Sequence, residues 1–443
     1  MNLSRLLIAA VVMAGLGGVV WWSNKQEAAK VGQPAKDAPP KILSLKESDV
    51  QQIEIKPRDG AATRVKKTPG GLWELTAPSQ LAADSSSVQS MLISAANLTS
   101  DRAVGENVTD LASYGLDPAA TTVTFTLADG KTSILRIGEN TPTGSSVYAL
   151  VEGDKRLFTM MSSNKDSLAK SAGDLREKHM LTFEQEKLSR VELMPAGRAP
   201  MEFGRAGQNE WQILKPRPLR ADGFQVEDIL SRSRQVMLDP AIDEKAAGSA
   251  FAAAQLVATL RLTGSDGTKT LEIRKAKDEV YARSSTMPGV YRVNKDAAEG
   301  LNKTLDDFRA KKIFDFGFTD PNRIEAKDNG KTMAVEKSGD KWNSAGKTMD
   351  SVSVQNLIDK LRDLGATKFV ESGFTTPVIE LTVISNEGKR TEKVQIAPAD
   401  AGFIAKREND TSLYQIGPDV IRDLRQSIDG VREPAPPPDG KKK

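Results

Sequence analysis

The chain has 443 residues, with 62 Lys and Arg against 59 Asp and Glu, one His and no Cys. Lack of Cys excludes disulfide frameworks, thiol catalysis and zinc sites built on Cys. A net charge of +3 from mixed signs gives no field for a polyanion, so nucleic acid is not an expected partner.

The first informative stretch is residues 6–22, LLIAAVVMAGLGGVVWW, which carries no charge and follows Arg5. As a helix it would be roughly 26 Å long, close to the hydrocarbon thickness of a bilayer. A cleaved signal peptide is the competing reading. The Trp21-Trp22 pair suits a membrane interface and no A-x-A site follows at once, which favours an uncleaved signal-anchor. Positive charge before the run places the remainder outside the cytoplasm, giving an expected single-pass inner-membrane protein with its bulk in the periplasm. Ala10, Ala14 and Gly18 recur every four residues and form a candidate helix-packing face, although signal segments are commonly rich in Ala and Gly.

Residues 23–40 are polar and contain Pro, which reads as a tether, and residues 434–443, PAPPPDGKKK, read as a solvated tail. Between them lies a repeat. Apart from the pair at 21 and 22, the Trp residues are Trp73, Trp211 and Trp342, 138 and 131 residues apart. The first two are followed at matching offsets by Pro78 and Pro216, Leu81 and Leu219, Asp84 and Asp222, Val88 and Val226, and Leu92 and Leu230. The third copy lacks the Pro but keeps Asp350, Val354 and Ile358 in the same internal spacing.

An Asp followed by apolar residues four apart predicts a capped amphipathic helix in each copy, over about 85–98, 223–236 and 351–363. Alternating segments such as VTFTLADGKTSILRI and IELTVISNEGKRTEKVQI predict β-hairpins. A second helix is expected to close each copy near Arg176, Arg309 and Arg432. The expected fold class is α+β: an N-terminal transmembrane helix (1–22) and tether (23–40), followed by repeat units at 41–187, 188–320 and 321–433. Each unit is expected to be a mainly antiparallel sheet with two helices, the third being divergent. Trp73, Trp211 and Trp342 are expected to be core anchors, and Asp84, Asp222 and Asp350 helix caps.

Reactive groups are sparse. His179 is the only His, and its counterpart one repeat later is Lys312, which suits a polar surface position. The GKT strings at 130–132, 330–332 and 346–348 lack the earlier Gly of a phosphate loop and read as turns. Ser167 with Lys170 lacks the companion motifs of penicillin-interacting enzymes, and no calcium loop is present. No catalytic, cofactor-binding or metal-ligating residue is expected, and the chain is read as a non-enzyme.

The anchor, the W-x4-P before an Asp-capped helix, the turn Tyr114-Gly115-Leu116-Asp117-Pro118 and the DLREKHMLTF helix end together resemble a bacterial family built on a domain of unknown function. Its members are membrane-anchored and often encoded beside gliding-motility-type ABC transporter subunits. The likeness covers most of residues 40–320, and the third unit departs from it, with Ser372-Gly373-Phe374 where the first has YGLDP. The resemblance implies an extracytoplasmic accessory to a transporter-like or envelope complex, with permease subunits as candidate partners, and carries over no catalytic residue. The expected function is therefore a membrane-anchored periplasmic scaffold. The alternatives are a module binding envelope glycan or a small solute, and an envelope hydrolase with paired carboxylates. Oligomeric state is left open.

Overall fold

Alternation of apolar and charged residues sets the strands: in VQQIEIKP, Val50, Ile53 and Ile55 are buried and the intervening side chains face outward. The structure, a computed structural model, describes residues 40–207, 210–240 and 244–435. The expected anchor with Ala10, Ala14 and Gly18, the tether up to residue 39 and the tail from residue 436 lie outside the described residues.

The first repeat begins with a meander of β1 (Val50–Pro57), β2 (Thr63–Lys67), β3 (Trp73–Ala77) and β4 (Leu81–Ala82), which leads into helix α1 (Ser85–Ala96). A short β5 (Arg102–Glu106) precedes a second meander of β6 (Thr121–Leu127), β7 (Thr132–Asn140), β8 (Ser146–Val151) and β9 (Arg156–Met161), followed by α2 (Ser162–Leu168) and α3 (Ala172–Leu175). The helix carries the chain from the β4 edge to β5 at the opposite edge, and the second meander then starts at the centre, where β6 pairs with β1, giving the order β4-β3-β2-β1-β6-β7-β8-β9-β5.

The second repeat runs β10 (Leu188–Pro195), β11 (Met201–Gly207), β12 (Glu210–Lys215), β13 (Leu219–Arg220), α4 (Gly223–Arg234), α5 (Glu244–Ala253), β14 (Gln255–Gly264), β15 (Gly267–Ala276), β16 (Glu279–Ser284), β17 (Val290–Val293), α6 (Asp296–Leu301) and α7 (Leu305–Phe308). The third runs β18 (Arg323–Asp328), β19 (Lys331–Ser338), β20 (Lys341–Ser344), β21 (Lys347–Met349), α8 (Ser351–Asp363), β22 (Lys368–Val370), β23 (Ile379–Ser385), β24 (Arg390–Ala399), β25 (Gly402–Arg407), β26 (Leu413–Ile416) and α9 (Pro418–Asp429). Their central pairs, β10 with β14 and β18 with β23, repeat the first topology.

Register confirms the repetition. Leu75, Val65, Ile53 and Phe125 form one row across four strands of the first sheet, and Ile213, Phe203, Val191 and Leu262 form the same row in the second. In the third sheet Val335, Ile324 and Val383 occupy it. Each row faces a helix whose buried side recurs at helical spacing: Val88, Met91, Leu92 and Ala95 in α1, Val226, Ile229, Leu230 and Ser233 in α4, and Val354, Leu357, Ile358 and Leu361 in α8.

The helix is held at both ends by backbone bonds that recur in every repeat. At its start, the carboxylate of Asp84, Asp222 or Asp350 accepts an amide of the first turn at 3.0 Å. The same residue's own N–H donates to the carbonyl that ends the repeat: Leu175 at 2.8 Å, Phe308 at 2.7 Å and Arg432 at 2.8 Å. Past the helix's far end, the N–H of Ile42, Met180 or Ile313 donates to the carbonyl of Leu98, Val236 or Leu364 at 2.8 to 2.9 Å.

The expected α+β architecture, led by a transmembrane helix and with two helices per unit, is corrected in three ways. The structure is β-rich, with three sheets antiparallel at every described pairing and few helices. Among the described residues no helix is long and apolar enough to cross a membrane. The expected second helix is continuous in the third repeat, where Pro418 starts α9, but is split in the other two. There, Ser171 with Asp174 and Thr304 with Asp307 form capping boxes that start a new short helix at α3 and α7. The second repeat also carries α5, whose Phe251 is covered by the guanidiniums of Arg274 and Arg283.

By compactness the chain divides into Met1–Glu177, holding the first sheet, and Lys178–Lys443, holding the other two. Met180 and Leu181, grouped by sequence with the first repeat, pack into the core of the second. Ile313, Phe314 and Phe316 likewise pack into the core of the third.

Trp73, Trp211 and Trp342 lie in the three separate cores at 6%, 4% and 5% exposure. Trp211 Nε1 donates to Glu227 at 2.7 Å, and the Arg205 guanidinium lies 5.0 Å from the indole centroid. Replacing Trp211 by Ala should cost about 3 to 5 kcal/mol, chiefly through the cavity, with the lost bond to Glu227 a smaller part because Gln185 and Arg205 remain beside that carboxylate. Denaturant unfolding of the variant checks this, and an unchanged midpoint would place the indole outside the core's energetics.

Candidate functional site

The residues singled out from sequence do not assemble into one site. The three Trp and three Asp residues belong to the cores and helix starts described above, and Ala10, Ala14 and Gly18 lie outside the described residues. The GKT strings sit in hairpin turns, where Gly130, Gly330 and Gly346 take φ of 81°, 88° and 81°, a backbone region open to Gly at little cost. Ser167 Oγ donates to the Ser163 carbonyl at 2.9 Å. Among the described residues no group of three or more acidic, His or Cys side chains is placed to hold a metal ion.

A cluster that sequence reading missed lies where the second and third repeats meet, within Lys178–Lys443. Arg220, at the end of edge strand β13, reaches the linker and the third sheet. Its Nη1 donates at 3.0 Å to the Lys312 carbonyl and at 3.0 Å to the Tyr414 hydroxyl, and its Nη2 pairs with Asp315. Arg407, on β25, donates to the Ile313 carbonyl at 2.7 Å, pairs with Asp315 at 3.0 Å and reaches Glu392 Oε1 at 3.1 Å. The Asp315 amide also donates to Glu392 Oε1, at 2.7 Å. Tyr414 donates its hydroxyl to Asp410 at 2.5 Å.

Beside these bonds, the Arg309 guanidinium lies 3.5 Å from the Phe369 ring centroid, and Phe369 in turn packs on Tyr414 at 5.4 Å. Arg309 is buried, with Asp306 as its ion-pair partner at 3.0 Å. It therefore serves two ends, terminating the second repeat and stacking on the third. A cleft of about 290 Å³ opens over the cluster, lined by Arg220, Asp315, Arg390, Glu392, Arg407 and Asp410.

The electrostatics follow from burial. Desolvation pushes the Glu392 carboxyl above the ordinary glutamate range, against the opposing pull of the Asp315 amide and Arg407. Burial also pushes the Tyr414 phenol up, so it stays a neutral donor. Burial works to raise Asp410 as well, but the bonds from Tyr414 and Ser412 and the charge of Arg220 outweigh it and hold that carboxyl low. Asp315 is engaged by two guanidiniums, Asp410 by a phenol, and Glu392 by an amide and a guanidinium. Such occupied groups tie elements together rather than meet a substrate.

One signal could have revealed the cluster. In RTEKVQI, Glu392 falls in alternation with Val394 and Ile396, on the face that is apolar elsewhere. The partners were not legible because the network belongs to one junction. Strand register sets Leu271 against Ser284 in the second repeat where Val394 stands against Arg407 in the third.

Removing Arg220 leaves Asp315 short of a partner and cuts the tie from β13. Arg220→Met should lower stability by about 2 to 3 kcal/mol and separate the unfolding of the second and third repeats in a denaturant titration. A single unshifted transition would show that the cluster does not couple them.

The family model for a domain of unknown function (DUF4340) matches residues 73–234 and again 211–381. Both matches begin on a repeat Trp and run through the capped helix that follows the next one or, in the second match, just beyond it. The overlap at 211–234 reflects the repeat itself. No curated protein and no solved structure matches the chain.

Proposed function

We propose, for a chain that belongs to the family of the DUF4340 domain of unknown function, a non-enzymatic role as an accessory that docks a protein partner. The observation that carries this reading is a pair of apolar side chains left in water at the same place in two repeats. Phe224 and Val352 are each the second residue after the capping Asp, and they are 88% and 67% exposed. The capping bond holds the helix start there, so each residue's Cα–Cβ bond leaves the body in a set direction. Exposed aromatic and aliphatic residues on rigid elements are what protein interfaces use as anchors.

Phe318, 97% exposed in the linker between the second and third repeats, adds a further apolar anchor. The basic start and the uncharged run over residues 6–22 support export to the periplasmic side of the inner membrane. There the partner would be a membrane complex of the ABC-transporter kind, with permease subunits as the contacted components. Repetition supports docking too, since three copies of one body multiply a contact surface, whereas a reaction centre is needed once.

A photo-crosslinking residue placed at Phe224, and separately at Val352, in native membranes is expected to capture the same membrane protein. Phe224→Asp should reduce capture from position 352 at least tenfold while leaving the melting midpoint unchanged. No adduct from either position in folded protein would contradict the docking role.

A further inference from the structure

The cluster joining the second and third repeats holds one carboxyl too many. Arg220 and Arg407 supply two positive charges, and Asp315 and Asp410 answer them with two negative ones. Glu392 is the third acid, with only 5% of its side chain exposed. Its Oε1 is used twice, by the Asp315 amide and by Arg407, while its Oε2 has no hydrogen-bond partner and is sealed from solvent.

The other charged groups nearby offset the imbalance only from the solvent side. Arg390, on the same strand, donates to the Asp315 carbonyl at 2.5 Å and its charge favours ionised Glu392, but its guanidinium is exposed and screened there, and burial of the carboxyl outweighs it. Lys393 and Glu408 pair with each other at 3.3 Å on the rim. Tyr414 is kept neutral by burial. An oxygen closed to water is closed to larger ligands as well, and a proton is the species that can reach it and remove its buried charge.

We propose that Glu392 carries a proton while the second and third repeats are locked together, and that its ionisation loosens their junction. The added proton forms an O–H bond on Oε2 and leaves the sealed cluster at two charges of each sign, and ionisation returns that proton to water. The residue sits where this matters. Glu392 Oε1 holds the amide of Asp315, and Asp315 is what Arg220 grips from the second repeat. Burial raises the carboxyl's affinity for its proton. The locked state therefore binds the proton more tightly than an open one, so the lock weakens as pH rises from the ordinary glutamate range through the raised value, and recovers on acidification.

The chain has no Cys, so two introduced thiols can be labelled without background. Spin labels at Phe224→Cys and Val352→Cys in the full chain report the spacing of the two repeats by pulsed electron paramagnetic resonance. The wild-type background should give a narrow distance distribution at about pH 5 and a broadened one at about pH 8.5, while Glu392→Gln should stay narrow at both. An unchanged wild-type distribution overturns the proposal whether or not the variant folds, and so does a Gln variant that broadens like wild type. Infrared difference spectra between unlabelled wild type and Glu392→Gln at the same acidic pH, about 5, should show a protonated-carboxyl band in wild type alone. Its absence would also overturn the proposal.

Discussion

In each repeat a single helix is held at both ends by the chain that begins and finishes that repeat, and the rest of the architecture follows from this. The leading segment bonds the carbonyl just past the helix through Ile42, Met180 or Ile313, and the trailing segment accepts the amide of the capping Asp. Because that Asp also accepts an amide of the first turn, one residue fixes the helix start and the repeat's end together. A sheet whose two meanders run outward from a central pair has no other element to join its extremes. The clamped helix supplies the connection and covers the apolar rows.

Copies that share a scaffold can diverge where they meet. The matching strands of the second and third repeats hold the same apolar rows, but register puts Glu392 and Arg407 in the third where the second has Lys269 and Ser284. The second has acquired Arg220 where the first has Ala82. These differences supply the charged groups that bond the junction. A network of this kind adds little net stability, because its charges lose water, yet it leaves few alternative arrangements of the groups it joins.

Much of the fold could be read from local pattern. The Trp spacing gave the period, the Asp before an apolar helix gave the three caps, and the alternating hairpins gave the strands, because each signal is contained within a few residues. What could not be read depends on distance. The splitting of the second helix in two repeats turned on capping boxes at Ser171 and Thr304 that interrupt a continuous pattern. The bonds of Asp84, Asp222 and Asp350 to carbonyls some 80 to 90 residues later leave no mark in composition. The junction cluster was hidden for the same reason: Arg220, Asp315 and Glu392 come from three distant segments, and only Glu392 breaks its own strand's alternation.

A body made of clamped, antiparallel repeats presents rigid helix starts, and Phe224 and Val352 use that rigidity to hold apolar groups toward a partner. The claim beneath this is that the leading and trailing bonds close each repeat as one cooperative body. Native-state hydrogen exchange resolved at the amides of Met180, Asp222, Ile313 and Asp350 tests it most directly. The account predicts that these amides exchange only when the central strands of their own repeat do. Fast exchange through local opening, with the central strands still protected, would contradict it.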